Sequence, residues 1–378
     1  MNFAKIPVLA ATRLSRCLPE AARRPFWRVF ALSRPLPVAR LYGPVRTGGV
    51  GTMVVAGKSP EVDYLPGCFF AGEPERMPLR PQGIAGLSRR LLAEAEGADL
   101  VVAHVDQWVA SRADAGAFLR VPHRIAAMLT VPENIRSLAV HASSLGQDFR
   151  LVRNHGFSAR PGSGAGDVAW FYEHLYRPTV EHRHGGLAVV KTLSAVEHAA
   201  RSGGLLWIEQ HGERVGGIVF RRRGPQLELY ALGQIPAEDG RPRPGCDAAG
   251  YYHIVETARS LGCTEVDFGG CRPSLDDGGL RYKRKWGMRV AENRGTYHDL
   301  LVRWTRVTPA VAGLLDRTSL VFRHDGGFAA LGGVHEDFRN DRMSGIAAYF
   351  RVCADAPFGD FLPCGSGDSG GRPTPGRG

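Results

Sequence analysis

The sequence lacks several features that would assign a chain of this size to a common class of protein. No run approaches the roughly 20 consecutive apolar residues that a helix needs to cross a bilayer. It also contains no H-E-x-x-H metal-binding pair and no G-x-x-x-x-G-K-[ST] phosphate loop. These absences disfavour a membrane-spanning helical protein, a zinc site of the H-E-x-x-H kind and a P-loop NTPase.

Lysine is scarce as well. Only five of the 48 basic residues are lysine, and arginine supplies the rest. Two of these lysines, Lys283 and Lys285, lie within one hexapeptide, where a compact, rotatable ammonium differs chemically from a planar guanidinium. The pair either marks a functional cation or belongs to a solvated basic turn.

The seven cysteines contain no C-x-x-C pair, which indicates buried or idle thiols; no metal is expected.

The net charge of +11 implies anionic binding partners, such as nucleic acid, phosphorylated cofactors or acidic lipid head groups, and does not distinguish among them. Near the N-terminus, the apolar run 6–11 is soon followed by Arg13 and Arg16, which is not typical of a secretory signal. We therefore expect a cytoplasmic protein.

The first half of the chain predicts an α/β layer. Residues 84–95 place apolar side chains at helical spacing, and residues 100–105 form a buried strand. Residues 132–155 predict further helix. Residues 157–166 are rich in Gly, Ser and Pro and predict a linker.

The second half predicts the order α-α-β-β-β-α-β. The elements are a helix over 168–182 with Asp167 as its N-cap, a helix over 195–202, an antiparallel meander of strands over 205–209, 215–221 and 227–232, a helix over 248–261 and a buried strand over 264–268. This order predicts an α+β fold in which helices cover one sheet. The tail over 365–378 has almost nothing apolar to bury, and we expect it to be disordered.

A series of short motifs runs in order through the second half. Its members are Trp170-Phe171-Tyr172, Tyr176-Arg177-Pro178-Thr179, Arg183-His184-Gly185, Tyr251-Tyr252, Val266-Asp267-Phe268-Gly269, Arg272-Pro273 and Tyr282-Lys283-Arg284-Lys285-Trp286-Gly287. Over about residues 130–300 the series resembles the FemAB-like, or BioF2-like, branch of the GNAT-superfamily acyltransferases. The resemblance is strongest where Tyr282, Lys283, Trp286 and Gly287 meet the family pattern aromatic-Lys-x-x-aromatic-Gly.

The resemblance implies tandem GNAT-like lobes, each a mixed sheet covered by helices, with the first lobe degenerate. We expect the first lobe over residues 1–130, a connecting helix and linker over 131–166, and the acyltransferase domain over 167–340. In GNAT domains a thioester or ester donor lies beside a splayed pair of strands. Here that pair would be residues 227–232 and 264–268.

The same resemblance implies that N–H groups at the start of the 248–261 helix hold the donor's pyrophosphate, as helix N-termini do. The predicted cofactor-binding residues are Arg241, Arg243, Gly245, Tyr251 and Tyr252. The loop before this helix departs from the pattern Arg/Gln-x-x-Gly-x-Gly/Ala of standard GNAT domains. Arg241, Arg243 and the N–H groups after Gly245 remain candidates to hold an anion.

Two residues are predicted to carry chemistry. Lys283 would stabilise negative charge on the carbonyl oxygen during acyl transfer. Asp267 would act as general base for the attacking amine, or else cap the following turn or pair with Arg272 or Lys283. The predicted substrate-binding residues are Arg272, Arg177, His184 and Trp286, and the last of these also suits a packing role.

The leading hypothesis is an acyltransferase that moves an acyl group from acyl-CoA, acetyl-CoA or longer, to an amino or hydroxyl group. An amino sugar or a cell-envelope polysaccharide precursor is the expected acceptor. One alternative is FemX-like, aminoacyl-tRNA-dependent transfer to a peptidoglycan precursor, because the positive charge suits tRNA. Another is a catalytically silent scaffold in a biosynthetic complex.

DNA is not expected as a partner, peripheral membrane association is compatible with the charge, and the oligomeric state stays open. Replacing Lys283 with Ala is expected to abolish turnover and leave the fold intact.

Overall fold

The computed structural model describes residues 35–364 except 58–59, 114–115, 163, 186–187 and 237–241, together with isolated positions before residue 35. The side chains of residues 60–63, 165 and 184 also lie outside this description. Three predictions therefore fall outside the described residues, namely the anion contact of Arg241, the substrate contact of His184 and the disorder of the tail over 365–378.

The strands of the described residues are numbered in chain order. They are β1 (Leu36–Pro44), β2 (Val50–Ala56), β3 (Glu75–Gln82), β4 (Leu100–Asp106), β5 (Leu119–Pro122), β6 (Ile125–Thr130), β7 (Phe157–Pro161), β8 (Gly203–Gln210), β9 (Glu213–Arg223), β10 (Gln226–Gln234), β11 (Glu265–Cys271), β12 (Arg289–Glu292), β13 (His298–Arg303), β14 (Leu320–His324), β15 (Gly327–Gly332), β16 (Ile346–Val352) and β17 (Phe361–Pro363).

The helices of the same residues are numbered likewise. They are α1 (Pro60–Phe69), α2 (Leu87–Ala95), α3 (Gln107–Ala110), a 3₁₀ helix (Ile135–Val140), α4 (Ser143–Asn154), α5 (Ala165–Phe171), a π-helical turn (Tyr172–Tyr176), α6 (Arg177–His184), α7 (Leu193–Arg201), α8 (Cys246–Ser260), α9 (Gly278–Lys285) and α10 (Pro309–Thr318). None of the helices in the described part of the chain is both long enough and apolar enough to span a bilayer.

The chain divides into two compact units. Unit 1 comprises Met1–His123, Tyr297–Arg342 and Ile346–Gly378, and unit 2 comprises Arg124–Thr296 and Met343–Gly345. These bounds differ from the predicted domains, because β13 pairs with β4 and β5 in unit 1 whereas β6 pairs with β11 and β12 in unit 2. Such pairings join residues that are far apart in the sequence, and local composition does not encode them.

Unit 1 contains one sheet in the order β3-β1-β2-β4-β13-β5 and another in the order β14-β15-β16-β17. Strand β4 is buried along nearly its whole length, and its successive side chains enter opposite faces. Val102 belongs to a core that also contains Leu65 of α1 and Leu314 of α10. Val101 belongs to a second core with Leu91 of α2. The strand predicted over 100–105 is confirmed, and the predicted helix before it begins at Leu87.

Three histidines of unit 1 lie together. His104 Nε2 is 3.0 Å from His123 Nδ1, so one ring donates to the other. The ring of His104 also stacks on His298, with centroids 4.6 Å apart. Burial, followed by the neighbouring His298 and His123, holds the pKa of His104 well below its ordinary value. Burial also lowers the pKa of His298, against the nearby carboxylates of Asp106 and Asp299. The folded environment therefore favours the neutral forms of His104 and His298.

Unit 2 contains one mixed sheet in the order β12-β6-β11-β10-β9-β8-β7. Strands β8, β9 and β10 form the predicted antiparallel meander, and β11 runs parallel to β10. Helices α5 and α7 cover this sheet through a core that includes Phe171, Val196 and the fully buried Trp207. The predicted α+β class, with mixed sheets flanked by helices, is confirmed.

Three local predictions differ from the structure. The helix predicted over 132–155 is a 3₁₀ helix followed by α4, and the linker predicted over 157–166 is β7 followed by the start of α5. Asp167 is not an N-cap, because α5 begins earlier and Gly164 occupies that position. The Asp167 carboxylate instead accepts hydrogen bonds from Trp207 Nε1 at 3.4 Å and from Arg214 at 3.3 Å. Contacts with distant residues thus determine the conformation of these segments.

Candidate active site

Strands β10 and β11 separate part of the way along their length. Their parallel pairing covers three residue pairs, from Gln226–Glu265 to Glu228–Asp267. Both strands then continue, to Gln234 and Cys271, without further mutual pairing in the described residues. Beyond Glu228 and Asp267 the sheet therefore has the splay that the family resemblance implies.

Each strand has an irregularity next to the splay. The register of β10 with β9 shifts between Leu229 and Ala231, which leaves Tyr230 as the extra residue. The register of β11 with β6 shifts between Asp267 and Gly270. Gly269, within the second irregularity, has φ +79°, a conformation that glycine adopts at little steric cost. Bulges bend a strand and disrupt the ladder locally, so they account for the divergence.

Lys283 is fixed beneath the β11 bulge. The residue is only 7% exposed, although it is a lysine. Its Nζ donates to Phe268 O at 2.7 Å, to Gly269 O at 3.2 Å and to Cys271 Sγ at 3.1 Å. An ammonium has three N–H donors, so these three acceptors use its full capacity. The predicted lysine thus lies at the splay and holds the shape of β11.

A second lysine lies at the β10 bulge, and the sequence patterns did not predict its role. Lys191 Nζ donates to Tyr230 O at 2.6 Å and lies 4.6 Å from the centroid of the Tyr230 ring. Its backbone N–H donates to Tyr176 Oη at 3.1 Å, which ties the segment to the π-helical turn. Although Lys191 is exposed as a whole residue, desolvation of its ammonium lowers its pKa. The scarcity of lysine was the signal that could have identified it.

An acidic pair closes the paired part of the strands. Glu228 is bound by the Arg221 guanidinium, with Nε–Oε2 and Nη2–Oε1 distances of 2.5 and 2.8 Å. Asp267 is half-buried, and its Oδ1 accepts a hydrogen bond from Gly269 N at 2.8 Å. Desolvation raises the pKa of Asp267; the Gly269 N–H and the charge of Lys283 oppose this shift, and Glu228 adds to it. Of the two carboxyls, Asp267 is therefore the better suited to exchange a proton.

An aromatic cluster packs against Phe268 of β11. The Tyr251 ring lies 4.5 Å from Phe268 and 5.5 Å from Trp286, measured between centroids. Burial raises the pKa of both Tyr251 and Tyr282, so these hydroxyls stay protonated. Trp286 is fully buried, which gives it a packing role and leaves it no open surface for substrate.

Tyr252 points to a different neighbour from Tyr251. It packs edge-on against Phe149 of α4, with centroids 5.7 Å apart. Phe149 also contacts Trp286 at 5.6 Å, so Tyr252 extends the packing between α4 and α8. Of the two predicted cofactor-binding tyrosines, Tyr251 lies under the splay and Tyr252 joins helices.

The N-terminus of α8 already carries an internal anion. Gly245 is its N-cap with φ +81°, and Asp247 follows in the first turn. Asp247 forms a salt bridge of 2.8 Å with Arg183, and Arg243 donates to Gln210 Oε1 at 3.1 Å. A diphosphate would meet the Asp247 carboxylate at the end of the helix that favours anions. An ion pair of the chain itself therefore lies at the end of α8 that was predicted to hold the pyrophosphate, and the binding role of this end stays a prediction.

The other predicted substrate-binding residues lie in local ion pairs. Arg177 is exposed and binds Glu181 at 2.9 Å on its own helix, and this hydrogen bond is the main cause of its raised pKa. Arg272 lies 3.5 Å from Asp277, which caps α9 by accepting from Leu280 N. The side chain of His184 lies outside the described residues. The structure thus brings Lys283, Asp267 and Tyr251 together at β11, whereas Arg177 is exposed and paired on its own helix.

Comparison with known proteins gives structural neighbours of low identity. No protein-family model and no curated protein matches the sequence. Among solved structures, the chain is similar to FemX with 15% identity and a TM-score of 0.38, covering 70% of this chain and 88% of that one. It is similar to L-PGS from Bacillus licheniformis with 12% identity and a TM-score of 0.35, covering 70% and 80%. It is also similar to a GNAT family acetyltransferase from Brucella melitensis in complex with acetyl-CoA, with 19% identity and a TM-score of 0.25, covering 39% of this chain and 88% of that one.

Proposed function

We propose that unit 2 is an acyltransferase that transfers an acyl group to an amino or hydroxyl group at the splay between β10 and β11. The observation that carries the proposal is the position of Asp267, a half-buried carboxyl of raised pKa at the last pair before the strands separate. The order of the meander, α8 and β11 agrees with the fold that the sequence motifs predict.

In the proposed reaction Asp267 accepts a proton from the acceptor's ammonium or hydroxyl group. The nucleophile then attacks the carbonyl carbon of an activated ester or thioester, the C–O or C–S bond breaks, and the leaving group takes up a proton. A general base works best when its pKa lies near the working pH, which the desolvation of Asp267 favours. Lys283 holds the shape of the β11 bulge next to Asp267 through its bonds to the carbonyls of Phe268 and Gly269.

The carrier of the acyl group is left to experiment, because an Asp247–Arg183 ion pair lies at the end of α8 where the donor's pyrophosphate was predicted to bind. Acyl-CoA, as acetyl-CoA or a longer thioester, is the first donor to test. Aminoacyl-tRNA is the second, and the net charge of +11 together with the occupied end of α8 favours testing it. The proposed acceptor is an amine or alcohol such as an amino sugar of an envelope precursor.

The test combines binding with turnover. Thermal unfolding of the full chain is measured with acetyl-CoA, longer acyl-CoAs and charged tRNA, because a ligand that binds only the native state raises the melting temperature. Donors that bind are then assayed for acyl transfer to amino sugars and amines, with Asp267→Asn as the site variant and Arg201→Met, an exposed cation on α7, as the control. We expect Asp267→Asn to lower kcat about 10²-fold or more.

Two outcomes would overturn the proposal. If no donor or acceptor in the panel supports turnover by the wild-type chain, the scaffold alternative takes its place. If Asp267→Asn keeps the rate of the wild type, the acyl transfer takes place elsewhere in the chain.

A further inference from the structure

Each of the two diverging strands accepts a hydrogen bond from a lysine at its bulge. Lys191 Nζ bonds the carbonyl of Tyr230, the extra residue of the β10 bulge. Lys283 Nζ bonds the carbonyls of Phe268 and Gly269 in the β11 bulge. An ammonium therefore lies at the bulged carbonyls of each strand, on the part of the sheet where the strands no longer pair.

The two ammonium groups differ in their remaining hydrogen-bonding capacity. All three donors of Lys283 have protein acceptors. Within the described part of the chain, Lys191 Nζ has Tyr230 O as its hydrogen-bond acceptor, and the residue as a whole is exposed. Two N–H donors of Lys191 can therefore turn toward a ligand, whereas a donor of Lys283 would first have to leave the backbone.

We propose that Lys191 is a catalytic residue that donates a hydrogen bond to the acyl oxygen of the donor bound in the splay, while Lys283 is a positioning residue for β11. The inference rests on the proposed acyl transfer. A cation fixed by one short hydrogen bond to Tyr230 O needs little reorganisation when negative charge develops on the acyl oxygen. Charge–charge contacts of Lys191 with Glu228 and Asp267 favour the ammonium form, against Arg221 and Lys283.

The experiment compares Lys191→Met and Lys191→Arg with the wild type, and with Arg201→Met as a control for the loss of one positive charge. We expect Lys191→Met to lower kcat on the order of 10²-fold, with a much smaller change in KM. Arg201→Met should stay near the wild-type rate, because its side chain lies on the exposed face of α7. Addition of methylamine or ethylamine to Lys191→Ala should restore part of the lost activity.

The pH profile separates a catalytic role from a structural one. Because desolvation lowers the pKa of Lys191, kcat should fall at alkaline pH, below the ordinary lysine range near 10.4. Lys191→Arg should move this alkaline fall to higher pH, since a guanidinium stays protonated. The comparison of the wild type with Lys191→Arg tests the role of Lys191 even if Lys191→Met fails to fold.

The outcomes distinguish the inference from the proposed function. If the wild type transfers acyl groups and Lys191→Met stays within about twofold of it, or the alkaline fall is the same in Lys191→Arg, the role of Lys191 is overturned and the acyltransferase stands. If the wild type transfers nothing, both are overturned. Loss of activity in Lys191→Met with a shifted profile in Lys191→Arg supports both.

Discussion

Glu228 and Asp267 are the last residues paired between β10 and β11, and the two strands diverge beyond them. Glu228 is neutralised by Arg221, whereas Asp267 accepts only a backbone N–H among its described contacts. The last pair before the divergence thus contains one carboxyl bound by a guanidinium and one that accepts from the backbone.

Replacing Lys283 should weaken the fold as well as the activity; the expectation of an intact fold is revised, because the buried ammonium bonds two backbone carbonyls. Lys283→Met leaves the carbonyls of Phe268 and Gly269 without their donor in a buried position, and each unsatisfied group costs about 1–3 kcal/mol. We expect the free energy of unfolding to drop by about 2–4 kcal/mol, measured by urea denaturation. Arg281→Met on the exposed side of the same helix is the control and should change it by less than about 0.5 kcal/mol. Equal stability of the two variants would contradict the assigned role of Lys283.

Asp267→Asn should remove activity without loss of stability. A carboxyl whose pKa is raised in the folded state stabilises the fold when it is protonated, and this contribution is lost as the pH rises above the unfolded pKa. The neutral amide can still accept from Gly269 N and avoids the desolvated charge. At pH 7 the melting temperature should therefore equal or exceed that of the wild type. A marked decrease would show that the carboxylate charge itself holds the bulge.

The pH dependence of the rate should show the raised pKa of Asp267. A general base acts in its ionised form, so activity should fall as the pH drops through that pKa. The acid limb of kcat/KM should lie above the ordinary aspartate value of about 3.9. An acid limb at or below this value would argue against Asp267 as the base.

Gly287→Ala should destabilise unit 2. Gly287 has φ +73°, and a Cβ there would lie 2.3 Å from Cδ2 of His141. Gly262 offers a matched control, because its φ is +68° and a Cβ would meet nothing within 4 Å. We expect Gly262→Ala to cost about 1 kcal/mol from the backbone conformation alone, and Gly287→Ala at least about 1 kcal/mol more. Adding His141→Ala to Gly287→Ala should recover the excess; no recovery would mean that the ring contact is not its source.

Mild acid should destabilise unit 1 through its histidine cluster. The pKa of His104 is depressed in the fold, so below the unfolded value near 6.5 the unfolded chain binds more protons than the folded chain. Stability should then fall by up to about 1.4 kcal/mol per pH unit for each such histidine as the pH drops. Thermal unfolding between pH 7.5 and 5.5 measures this slope. His104→Gln should flatten the slope, and an unchanged slope would assign the acid sensitivity to other groups.

Local sequence predicted the elements of unit 2 well. The alternating apolar residues of β8, β9 and β10 and the turn at His211 and Gly212 depend on neighbours in the chain, so they were predicted from the sequence. The π-helical turn at Tyr172–Tyr176 was not, because it is an insertion in a continuous helix that packs against Gly233 of β10. Lys191 escaped notice because it follows an irregular segment, and its partner at Tyr230 is distant in sequence.

The sequence by itself determined the α+β class, the meander and the presence of Lys283 and Asp267 in one short stretch, because these follow from periodicity and motif order. Only the tertiary structure decided which residues share the site and how the chain divides into units. The splay depends on bulges in β10 and β11, the first unit depends on the return of β13 to β4, and the second lysine reaches Tyr230 across the fold. Each of these is a contact between distant parts of the chain, set by packing and hydrogen bonding that no local pattern contains.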